Sequence, residues 1–80
     1  MTREEAIDQA VTRCDAMFRR GGLAAAQETL NAAVAHADKQ DPGSDARELA
    51  AGAVFIVIEW IERRHGEDAA DAAMDTAGWM

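Results

Sequence analysis

Residues 45–64 read DARELAAGAVFIVIEWIERR, and the way this stretch folds decides the class of the whole chain. Taken alone, Val54-Phe55-Ile56-Val57-Ile58 has strand propensity, since β-branched and aromatic side chains suit a pleated, half-buried surface. A lone strand has nothing to pair with in this chain, and Ala, Leu, Glu and Arg flank the run at helical spacing. The stretch therefore reads as a helix over about 44–64. Leu49, Ala53, Ile56, Val57, Trp60 and Ile61 occupy one side, and Val54 and Ile58 carry the apolar surface past half the circumference. A helix this apolar belongs at the centre, touching two neighbours or a second chain.

Working outward, Ser44, or Asp41 with Pro42 at the first helical position, caps this element. Upstream, 38–43 (DKQDPG) ends a helix over about 23–39, because Pro cannot continue a helix and disfavours helical geometry just before it. Leu23, Ala26, Leu30, Ala33, Val34 and Ala37 form its narrow, mostly small stripe. The first helix spans about 3–20. Thr2 and Glu5 form a capping box at its start. Ile7, Ala10, Val11, Cys14, Met17 and Phe18 line one face. Arg19 and Arg20 suit the negative end of the dipole, and Gly21-Gly22 stops the helix. Downstream, His65-Gly66 breaks the chain, a short helix covers 67–77 with Ala70, Ala73, Met74 and Ala77 on its apolar side, and Gly78-Trp79-Met80 follows as a tail. The expected fold is all-α, a compact single-domain bundle of three to four helices with short connections over 1–80.

Its core is thin. Nineteen of the 80 residues are alanine, and the larger apolar side chains also number 19. Ala buries little area, so close packing through small residues, or a partner that completes the core, would help. The mixed-charge start lacks a secretory pattern, the longest apolar run is too short to span a bilayer, and a single cysteine suits a reducing compartment. These features point to a cytoplasmic protein. A net charge of −7 and a pI near 4.6 argue against direct nucleic-acid binding or an anionic membrane surface.

Catalytic residue types are scarce. Ser44 reads as a helix cap, Cys14 as a buried thiol, and His65 after Arg63-Arg64 as a cation at a helix end. His36 has no ligand partner one turn away, and no clustered set for zinc or phosphate-binding loop exists. The expectation is a non-enzyme without cofactor or metal.

The acidity is local. By segment the charge is 0, −2, −1 and −4 over 1–20, 21–43, 44–64 and 65–80. Glu67, Asp68, Asp71 and Asp75 fall within an arc of about 100° on the last helix, with no Lys or Arg among them. This is either a solvated face or a patch that meets a basic groove on a larger protein, competing there with phosphate for Lys and Arg. A second row, Glu48, Glu59 and Glu62, surrounds Phe55 on helix 44–64. An aromatic ringed by charge is a common interface anchor, unless another element covers it. Trp79 poses the same alternative: folded into the core, or in contact with a partner.

In size, acidity, helicity and lack of catalytic groups the chain resembles the small anti-CRISPR inhibitors of phages and the helical immunity proteins of nuclease toxins. That resemblance implies an inhibitor of a nucleic-acid-handling complex, acting by occupying a basic surface in possible mimicry of nucleic acid. The expected contacts are Glu67, Asp68, Asp71 and Asp75, then Glu48, Phe55, Glu59 and Glu62. The alternative is a structural or regulatory module, antitoxin- or immunity-like, that forms a homodimer through helix 44–64, with Phe55 and Ile58 at the interface.

Overall fold

Side-chain caps open two of the four described helices, and glycines precede the other two. In the computed structural model, which describes residues 2–79, the Thr2 hydroxyl accepts the Glu5 N–H at 3.1 Å and opens α1 (Arg3–Met17). The Ser44 hydroxyl accepts the Arg47 N–H at 3.1 Å and opens α3 (Asp45–His65), so Ser44 rather than Asp41 is the cap. Between them α2 runs Gly22–Asp38, and α4 runs Glu67–Ala77. The fold is all-α, and the described residues contain no strand.

The first turn comes earlier than the Gly pair suggests. Gly22 adopts φ +58° and its N–H bonds the Phe18 carbonyl at 2.8 Å, so the reversal starts at Phe18. Arg19 and Arg20 consequently lie in the turn and not in the last helical turn of α1. The α3–α4 junction is sharper. Gly66 has φ +97° and ψ 165°, a region essentially closed to residues with a Cβ.

At the other end of α4, Gly78 is left-handed, its N–H bonds Asp75 O at 3.2 Å, and the Trp79 N–H bonds Met74 O at 3.0 Å. This is a Schellman termination. The expected tail is thus part of the fold: Trp79 and Met74 both pack against the core, which decides the Trp79 alternative. Met80 lies outside the described residues.

One core unites the helices. α3 is central and packs against α1, α2 and α4, while α2 also touches α4. Leu30, Ile61, Val11, Val34 and Val54 are fully buried, and Ala26, Ala37, Ala70 and Ala73 fill the tight spaces between helices. Small side chains at such contacts let helix axes approach closely, which compensates in part for the thin supply of large ones. The radius of gyration, 12.3 Å, is near the about 12 Å of a compact chain this long.

The rotation of α3 differs from expectation. Its buried residues are Ala50, Val54, Val57, Ile58, Trp60 and Ile61. Leu49 is 79% exposed and Ala53 is exposed, although both were expected inward. Ile58 is buried within this chain's own core, so it is unavailable to the dimer interface expected of it. On α1, Met17 is 63% exposed, and on α2 Leu23 is exposed, each because the core closes over neighbouring positions (Phe18 and Ala26) instead.

Candidate interaction surface

The arrangement of charge begins with the seam between α1 and α3. Arg64 grips Asp15 with two hydrogen bonds, Nε to Oδ1 at 2.8 Å and Nη2 to Oδ2 at 2.7 Å. The Trp60 indole N–H donates to the same Oδ1 at 2.8 Å, and the Trp60 ring meets Phe18 edge-on with centroids 4.9 Å apart. The Arg64 and Trp60 bonds hold the Asp15 carboxyl down at about 2. The adjacent Arg63 bonds Asp8 at 2.6 Å and Glu59 at 3.2 Å, and the carboxylates in turn raise both arginines. Thus Arg63 and Arg64, expected merely to complement the helix dipole, tie α1 to α3. His65 stacks at a tilt on Trp60, with centroids 5.3 Å apart.

The α4 stripe is built the opposite way. Ala70 and Ala73 are buried, Met74, Ala77 and Trp79 pack against the core, and the Gln27 amide of α2 donates to the Ala73 carbonyl at 3.1 Å. These contacts set the rotation of α4 and turn Glu67, Asp68, Asp71 and Asp75 outward; all four are exposed. The ion pairs among the described residues involve Asp8, Asp15 and Glu59, and none reaches these four carboxylates. Glu67 and Asp68 face the favourable end of the helix dipole, whereas Asp75 sits in the last turn, where a negative charge is unfavourable.

The second row divides. Glu48 and Glu62 are exposed, and Phe55 keeps 42% of its surface in solvent, so no other described element fully covers it. Glu59 is half-buried and engaged by Arg63 one turn away, which sets it apart from the unpaired members of the row. Sequence reasoning missed Leu49, the most exposed large apolar side chain among the described residues, because it had been assigned to the inward stripe.

Among the described residues there is no pocket, and no group of three or more His, Cys, Asp or Glu side chains converges as a cation site would require. Cys14 is buried; desolvation, then the charge of Asp15, pushes its thiol up against a smaller opposing effect of Arg13. A thiol in that state is a poor nucleophile. No described helix is long and apolar enough to cross a membrane. The chain matches no known family model, no curated protein and no solved structure.

Proposed function

We propose that this protein is a non-enzymatic binding protein whose α4 carboxylates occupy a basic surface on a larger protein. The observation that carries this reading is the contrast in pairing. The chain places two of its arginines on Asp8, Asp15 and Glu59, yet leaves Glu67, Asp68, Asp71 and Asp75 exposed and without an ion-pair partner. A rigid, one-sided row of carboxylates spanning about 12 Å attracts Lys and Arg side chains, including those that otherwise hold phosphate. The class of partner that fits is a nucleic-acid-handling complex, which the protein would inhibit in the manner of an anti-CRISPR or nuclease-immunity protein. Phe55, exposed between Glu48 and Glu62, supplies a candidate apolar anchor beside the charge.

The test is charge reversal. The wild-type chain, used as bait in an extract of its native cell, retains a partner at low salt and releases it as salt rises. The triple variant Asp68→Lys, Asp71→Lys, Asp75→Lys retains none, while its circular dichroism remains helical. Equal capture of the same partner by the folded triple variant at physiological salt would reduce the stripe to solvation.

A further inference from the structure

The described helices are not equally tied in. α2, α3 and α4 each pack against the other two, whereas α1 packs against α3 alone. The centre of the core follows the same division. Of the five largest fully buried side chains, Leu30, Val34, Val54 and Ile61 belong to α2 and α3, and α1 supplies only Val11. Lifting α1 away therefore leaves a three-helix core whose helices still touch one another. Removing any other helix breaks at least two interfaces at once.

What holds α1 down is small and open to water. Within α1 only Val11 and Cys14 are buried, and Phe18, just beyond its end, adds the edge-on contact with Trp60. The rest of the joint is polar: Asp8 to Arg63, and Asp15 to Arg64 and the Trp60 indole. The side chains of the two ion pairs are 39–62% exposed, so they add little and weaken as salt rises.

The pivot is Gly21-Gly22. The closed turn requires both residues: a Cβ on Gly21 would stand 2.4 Å from the Ala25 Cβ, and Gly22 holds φ +58°. The same pair gives this connection its widest choice of other conformations.

We infer that α1 is a hinged strap, which swings off α3 about Gly21-Gly22 as one unit while α2, α3 and α4 stay assembled. Opening bares Trp60 on α3, frees Arg63 from Asp8 and Arg64 from Asp15, and uncovers the Cys14 thiol. Partial openings of this kind are drawn from the least connected part of a structure. The movement needs no partner and is independent of the reading given for α4.

Native-state hydrogen exchange of the full chain, followed amide by amide, tests this. Cys14, the single cysteine of the chain, is a second reporter. The Val11 and Cys14 amides should populate an open form at least about tenfold more than those of Leu30, Val54 and Ile61. Their opening should also depend less on urea, because it exposes less surface. Labelling of the Cys14 thiol by N-ethylmaleimide should give the same opening constant as its amide. Ala73→Gly weakens α4, which α1 does not touch. It should raise exchange within α4 about fivefold and leave Val11 and Cys14 within about twofold of wild type. Equal opening of α1, α2 and α3 in the wild type overturns the inference. So does a rise at Val11 and Cys14 in step with α4 in the variant, since either result means that the molecule opens only as a whole.

Discussion

Two sets of carboxylates in this small protein meet opposite fates. On the α1–α3 seam, Asp8, Asp15 and Glu59 are taken up by Arg63 and Arg64, and Asp15 also accepts the indole N–H of a buried tryptophan. On α4, Glu67, Asp68, Asp71 and Asp75 are exposed and form no ion pair with a described cation, on a helix whose back is fastened by alanines and a single glutamine hydrogen bond. One set joins elements of the fold and the other is supported by the fold. The difference teaches that acidity here is not a uniform property of the surface. Substitutions in the two sets should therefore move stability in different directions.

The largest break in the comparison comes from removing the apolar half of the seam. Trp60 is 5% exposed, meets Phe18 edge-on and orients Asp15. Trp60→Ala should cost about 3–5 kcal/mol. An 80-residue chain has roughly 4–12 kcal/mol in total, so at least about a quarter of its stability goes. Urea titration followed by far-ultraviolet circular dichroism measures this. A loss below about 1 kcal/mol, the range of an ordinary surface substitution, would mean that α1 does not depend on the seam.

A smaller break is made by acid. The folded Asp15 carboxyl titrates at about 2 against an ordinary 3.8, lowered first by its Arg64 hydrogen bond and then by that of Trp60. Between those values the unfolded chain binds the proton and the folded chain does not. The stabilisation from Asp15 is therefore fully present above 3.8 and is lost as pH falls toward 2. Since the pair faces solvent, screening reduces its worth, and salt should reduce it further. The expected outcome is a thermal midpoint that drops less steeply for Asp15→Asn than for wild type across this window. Parallel curves for the two proteins would show that the paired carboxylate contributes nothing.

How much of this was legible beforehand depended on how cleanly each helix separates its faces. On α4 the carboxylates and the alanine–methionine face occupy different arcs, so the rotation of the helix, and with it the exposure of the stripe, could be read from spacing alone. On α3 apolar residues cover more than half the circumference. The large side chains Leu49, Ile56 and Trp60 drew the inferred inward face about 70° away from the true one, which is centred near Ala50, Val54 and Ile61. Such a helix is phased by its neighbours, and periodicity cannot supply that. The seam was illegible for another reason: Arg63 to Asp8 and Arg64 to Asp15 are 55 and 49 residues apart, and each arginine had a sufficient local explanation at a helix end. The Schellman turn, by contrast, was written in Gly78 and the apolar Trp79 after it, but passed as a tail.

The smallest effect sharpens the comparison most, because its sign differs between the two sets and within the stripe itself. Asp75 lies one turn after Asp71, a like-charge pair that costs about 0.2–0.5 kcal/mol. It also sits in the last turn of α4, where no basic residue offsets the dipole. Asp75→Asn should thus stabilise the protein by a few tenths to about 1 kcal/mol at low salt, and the gain should shrink as salt is added. Asp68 is in the first turn, where the dipole favours its charge, so Asp68→Asn should give no such gain although it removes the same charge. If stripe and seam were both selected for stability, Asp75→Asn would destabilise as Asp15→Asn does. A gain at Asp75 alone, measured by chemical denaturation in low and high salt, means that its charge is kept at the expense of the fold. A charge that costs the fold in this way fits a solvated face that keeps the chain apart from its copies, or the partner contact proposed above, and the charge-reversal capture separates the two.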